Sequence, residues 1–179
     1  RLRDSGLDAR PIAGDISSPE TLRSIARELE AQGGLAACAH AAGLSSSMAS
    51  AERILAVNLA GTARLLDTLL PLAKEGTAVV CFASQAAHLW NAISTPQAKQ
   101  VLDEALAPDL AERLAAAIGQ ASLSSTEAYA WSKLGVLRLV VARAPEFGRR
   151  GARLLSLSPG IIAAPMGAQE LAAHREAMQ

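Results

Sequence analysis

The 179-residue chain is 50% hydrophobic and 19% charged, and its 17 basic and 17 acidic residues give a net charge of zero. A chain of this size and apolar content can bury a core as one domain. Its scattered basic residues lack the clustered face that nucleic acid requires, and no uninterrupted apolar run reaches membrane-spanning length. Nothing at the start reads as a signal peptide. Cys38 and Cys81 lie in apolar, strand-like runs that suit buried reduced thiols rather than a disulfide or a metal pair. A cytoplasmic protein without membrane or nucleic-acid partners is therefore expected.

In chain order, "ARPIAGDIS" (9–17) reads as a short strand ending in a polar turn. "SSPETLRSIARELEAQGG" (17–34) reads as a helix, with an N-cap serine, Pro19 in the first turn, helically spaced Leu22, Ile25, Ala26 and Leu29, and a glycine stop. "LAACAHAAG" (35–43) is an apolar run ending in glycine, a buried strand. A long amphipathic helix over 50–76, a strand over 77–84, a helix over 126–148 and a strand over 152–160 follow. Alternating helices and near-continuously apolar strands predict a doubly wound α/β fold, a parallel sheet covered on both faces.

In such sheets ligands gather beyond the carboxyl ends of the strands, which here carry Asp15, Ala42–Gly43, Ser84 and Pro159–Gly160. Tyr129, the single tyrosine, stands four residues before Lys133, one of three lysines, so the two share a helix face near the same rim. A phenol has an unperturbed pKa of about 10. A cation about 4 Å away at an effective dielectric near 20 favours the phenolate by up to roughly 4 kcal/mol, which brings it into the range of acid–base work. With the Ser84 hydroxyl to bond a carbonyl or alkoxide oxygen, the set suits proton transfer coupled to hydride transfer at a secondary alcohol or ketone.

At these residues the sequence resembles the short-chain dehydrogenase/reductase family, over nearly the whole chain. "YAWSK" (129–133) matches its Tyr-x-x-x-Lys, and "VVCFAS" (79–84) matches the strand ending in the catalytic serine, Ser84. "VNLAGT" (57–62) matches the helix whose asparagine, Asn58, orders a proton-relay water. "SPGIIAAPM" (158–166) matches the stretch along the nicotinamide, implying roles for Pro159, Gly160 and Ile161. "GDIS" (14–17) implies that Asp15, with Ile16, touches adenine, and "HAAG" (40–43) keeps Ala42 and Gly43 of an Asn-Asn-Ala-Gly turn. The resemblance implies a Rossmann-like fold, NAD or NADP as cofactor, a lysine that also binds the nicotinamide ribose, and a homo-oligomer.

The departures also carry information. His40 and Ala41 replace the usual asparagines, so one strand-bracing side chain is expected to be missing, and Ala164 replaces the threonine that anchors the nicotinamide carboxamide. The family's Gly-rich strand-turn-helix is absent from this chain, which begins with Arg1. The chain is therefore read as an incomplete single domain, part of a longer protein or lacking its ends, and NAD versus NADP stays open. Between Ser84 and Tyr129 lie 44 residues, far more than in ordinary members. A helical insertion at about 90–128 is similar to that of the bacterial 3α-hydroxysteroid dehydrogenase/carbonyl reductase group. Its stripe of Val101, Leu102, Leu106, Leu110, Leu114, Ala117 and Ile118 must bury itself on something. Its aliphatic character favours a subunit contact, hence a dimer.

Each residue also has a plainer reading: Asn58 a backbone brace, Ser84 a strand end, Asp15 a turn residue, Gly43 and Gly160 turn glycines. His40, His88 and His174 lack metal-ligand spacing, and no metal site is expected. The competing function is a non-catalytic dinucleotide-binding regulator on the same fold. Retention of Ser84, Tyr129 and Lys133 together favours the enzyme.

Overall fold

The computed structural model describes residues 5, 6, 8–160 and 162. Ile161, Ala164 and His174 lie outside the described residues. The chain order is α1 (Pro19–Ala31), β1 (Leu35–His40), α2 (Ala51–Leu55), a π-helical segment (Ala56–Ala60), α3 (Gly61–Leu69), a 3₁₀ turn (Leu70–Leu72) and β2 (Ala73–Phe82). After these come α4 (Gln85–Ile93), α5 (Pro96–Asp103), α6 (Leu110–Ala117), α7 (Ser125–Gly148) and β3 (Arg153–Leu157). The three strands form a parallel sheet in the order β1-β2-β3, in which Cys38 pairs Val79, His40 pairs Cys81, and Val79 pairs Leu154.

Side chains alternate across the strands, and helices meet the face carrying His40, Val79, Cys81 and Leu154. There Leu22 of α1, Leu65, Leu66 and Leu69 of α3, and Val136, Val140 and Phe147 of α7 close the main core. The opposite face carries Ala37, Ala39, Val80, Leu155 and Leu157, with Leu155 48% and Leu157 51% exposed. The expected cover on both faces is thus met on one of them among the described residues.

Two expected boundaries move. Residues 9–15 form no strand, because a strand exists only through ladder bonds and β1 is paired on one side alone, by β2. The long helix stops before 76. Pro71 lacks an N–H and disfavours continued helix, so the chain tightens at Leu70–Leu72 and β2 begins at Ala73. The ladder then slips between Leu35 and Ala37, and Gly76 takes the left-handed φ of +84° at that irregularity. The stretch Ala51–Leu72 has the length and mean hydropathy, 1.2, of a membrane span, yet 67% of it is buried within the protein, as a core helix is.

The insertion folds back on its own chain. Ala98, Leu102, Leu110 and Leu114 pack with Ile54, Leu55 and Leu59 and with Ala128, Trp131 and Leu134 of α7. Arg138 of α7 clasps Asp103 at the end of α5 through two bonds of 2.8 and 2.6 Å. The apolar stripe expected to make a subunit contact is therefore buried within the chain, because the flank of α2 and α7 offers it apolar surface at no cost in association entropy. Leu114 is fully buried while Leu106 is 46% exposed. Leu114→Ala is expected to lower unfolding free energy by about 2–5 kcal/mol and Leu106→Ala by less than about 1 kcal/mol, as measured by urea denaturation.

Candidate active site

α7 begins with a capping box in which the Ser124 side chain accepts from the Glu127 N–H and the Glu127 carboxylate accepts from the Ser124 N–H at 2.9 Å. This fixes the first turn one turn before Tyr129. Ser125 Oγ, donating to the Ala49 carbonyl at 3.0 Å, ties the same turn to the loop after β1. Tyr129 and Lys133 then stack as their spacing requires, with Lys133 Nζ 5.7 Å from the centre of the Tyr129 ring.

Lys133 is 9% exposed, and its ammonium donates at 2.9 Å to the carbonyl of Phe82, the last residue of β2 and two before Ser84. Burial pushes its pKa down to about 8. A buried lysine with a carbonyl partner and a depressed pKa is a pattern of functional sites. Across from it lies Gly43, where a Cβ would come within 3.2 Å of Asn58 Oδ1 and 3.6 Å of Lys133 Nζ. The absent side chain lets the loop backbone approach both.

Asn58 sits buried in the π segment, where the Gly61 N–H reaches back five residues to the Ala56 carbonyl. Its amide oxygen accepts from Leu44 N at 2.8 Å, and its amide nitrogen donates to the Leu44 carbonyl at 2.9 Å and to Ser132 Oγ at 3.1 Å. Ser132 Oγ in turn donates to the Tyr129 carbonyl at 2.7 Å. The Asn58 side chain thus joins the loop after β1 to α7.

Ser84 caps α4, its Oγ accepting from Ala86 N at 3.3 Å. Gln85 N donates to the Pro159 carbonyl at 2.9 Å, and a Cβ on Gly160 would stand 3.1 Å from Gln85 Oε1. Pro159 and Gly160 therefore adjoin the Ser84 end of the sheet. Ala42 is exposed beside Gly43 on the same rim. Asp15 stands apart, in an exposed cluster in which Ser17 N donates to Oδ1 at 2.9 Å, Ser17 Oγ donates to it at 2.7 Å, and Arg53 of α2 ion-pairs with Oδ2. The Ser17 bonds and the Arg53 guanidinium hold its pKa at about 2. Ile16 packs where a Cβ on Gly61 would meet it at 3.3 Å.

The bracing side chain expected to be missing is supplied in another way. Buried His40 places Nε2 2.8 Å from Thr62 Oγ1, tying β1 to α3. Arg53 at Asp15 and Thr62 at His40 were not singled out by sequence reasoning. The one signal for the latter is that His40 falls on the buried alternation of its strand. His88 is exposed and bonds Ser158 Oγ at 3.0 Å. Both cysteines are free, and no cluster of metal-ligating side chains occurs among the described residues.

Known proteins share the sequence and fold of this chain. The chain is 30% identical to a short-chain dehydrogenase/reductase of Alternaria brassicicola, bsc3, over 98% of its own length and 64% of that protein's. The crystal structure of the 3-alpha-hydroxysteroid dehydrogenase from Pseudomonas sp. B-0831, complexed with NADH, superposes with a TM-score of 0.71 at 28% identity, covering 92% of this chain and 64% of that one. An actinorhodin polyketide ketoreductase solved with NADPH superposes at 0.68 with 18% identity, over 99% of this chain and 60% of that chain. No protein-family profile matches. Along nearly all of its length the chain is similar to short-chain dehydrogenases/reductases, and it has their Rossmann-like fold. It spans just under two thirds of the length of these relatives.

The folded pKa of Lys133, about 8, lies below its ordinary 10.5, so the unfolded chain binds the extra proton between those values and wild-type stability rises with pH across that window. Lys133→Met removes the buried charge. Its stability advantage at pH 7 is expected to shrink by roughly 2–3 kcal/mol between pH 8 and 10.5, as followed by thermal or urea denaturation at each pH.

Proposed function

We propose that the protein is an NAD(P)-dependent oxidoreductase interconverting a secondary alcohol and a ketone, with Tyr129 as general acid and base. The observation that carries this reading is the Tyr129–Lys133 stack, whose ammonium is held by Phe82 at the end of β2, two residues before Ser84. The 179 residues are read as part of one Rossmann-like domain with a helical insertion at about 90–128. Relatives solved with NADH and NADPH support the cofactor class. The exposed Ala42 and Gly160 fit a flat ring laid against backbone. A steroid-like or other carbonyl compound is the substrate class, supported by the likeness to a hydroxysteroid dehydrogenase. A soluble, cytoplasmic setting fits the burial of the one apolar stretch of membrane-spanning length among the described residues. A homo-oligomer fits the reading only through surface other than the buried stripe of the insertion.

A bound nicotinamide supplies or accepts the hydride. The residues of this chain handle the oxygen. In the reductive direction the Ser84 hydroxyl donates to the carbonyl oxygen, and the Tyr129 hydroxyl gives its proton as the alkoxide forms. The Lys133 ammonium, over the Tyr129 ring, stabilises the phenolate left behind.

The test is NAD(P)H consumption by the full-length protein across a panel of ketones. Tyr129→Phe should fold normally and lose the 10²–10⁴-fold acceleration typical of general acid–base catalysis. Near wild-type turnover in that variant would sink the mechanism. Binding of NAD(P) with no turnover on any ketone or alcohol would favour a regulator.

A further inference from the structure

The Thr62 hydroxyl has one proton and two neighbours. It lies 2.6 Å from the Asn58 backbone carbonyl, which can only accept, so the proton goes there. Toward His40 Nε2, at 2.8 Å, the same oxygen must then accept. His40 is consequently the Nε2–H tautomer, and a chain of donation runs from the β1 imidazole through Thr62 to the carbonyl of the residue whose side chain spans Leu44 and Ser132. Such a back-bond from a threonine to the carbonyl four residues earlier competes with regular helix. Here it falls at the π segment, where Asn58 turns its amide toward α7.

We propose that His40 is a positioning residue of the site: its Nε2–H fixes the Thr62 hydroxyl on the Asn58 carbonyl and so sets the Asn58 amide that holds the Gly43–Leu44 loop against the Lys133 turn of α7. The groups facing His40 support this. Lys133 from α7 acts on it through its charge, the Cys81 thiol of β2 is its register partner, and Cys38 lies two residues back on its own strand. Burial, with the Lys133 charge, holds His40 neutral, its pKa near 4, and burial keeps the Cys81 thiol protonated, its pKa near 12. The imidazole is therefore a fixed donor at neutral pH rather than a titrating one. The catalytic consequence rests on the Tyr129–Lys133 reading given above, whereas the positioning does not.

The test uses two His40 variants in the full-length protein. Gln carries its amide nitrogen the same number of bonds from Cα as His Nε2, so His40→Gln keeps the donor, while His40→Leu removes it. Nitrogen-15 NMR should find wild-type His40 as the Nε2–H tautomer, unchanged from pH 8 to about 5. The two Asn58 side-chain amide protons should be resolved and exchange-protected in wild type and His40→Gln. They should shift and lose protection in His40→Leu, with amides of α1 unmoved. In turnover assays His40→Leu should lose about fivefold to tenfold in kcat, the worth of one hydrogen bond, with KM for NAD(P)H within about twofold and Gln restoring kcat. Thr62→Val should reproduce the Leu phenotype, adding nothing in the double variant, and stands in for it if His40→Leu does not fold.

An Nδ1–H tautomer, wild-type Asn58 resonances in His40→Leu, or equal damage from Gln and Leu would overturn the proposal. Complete absence of turnover in wild type would remove the catalytic reading instead, and the Asn58 resonances would then decide the positioning alone.

Discussion

The rim of this protein depends on the saturation of one buried amide. Asn58 lies inside a helix of the core, where an unpaired polar group costs about 1–3 kcal/mol. Its acceptor and both of its donors find partners, in Leu44 and Ser132. Because those partners belong to the loop after β1 and to α7, satisfying the amide also fixes two elements that share no ladder. The π segment makes this possible by widening one helical turn at Asn58.

Lys133 poses the opposite problem, a charge that the fold leaves with a carbonyl rather than a carboxylate. Burial lowers its pKa and costs stability at neutral pH. A protein that retains such a group stores free energy at the position where a cation can act on a neighbouring phenol. The stack on Tyr129 and the bond to Phe82 place that cost beside the end of β2, two residues before Ser84.

The departures from the family pattern are compensated locally. Where an asparagine would brace β1, His40 reaches Thr62 instead, so the tie between strand and helix persists with different chemistry. The insertion likewise replaces one burial with another. Its leucines cover α2 and α7, and the Arg138–Asp103 clasp holds them there. The helix flank that would otherwise stay open is closed by the same chain.

By itself the sequence determined what periodicity and punctuation encode: the helices over Pro19–Ala31 and Ser125–Gly148, the cores of the three parallel strands, and the i, i+4 placement of Tyr129 and Lys133. These depend on local spacing, which survives without knowledge of neighbours. What depended on neighbours was decided only by the tertiary structure. Residues 9–15 have strand-like composition but no partner to pair with. The stripe through Leu102, Leu110 and Leu114 says that it must be buried, not against what. His40 reads as an isolated histidine until Thr62, 22 residues away, turns out to share a hydrogen bond with it. Hydrogen-bond partners at such separations follow from packing in three dimensions, and no spacing in one dimension carries them.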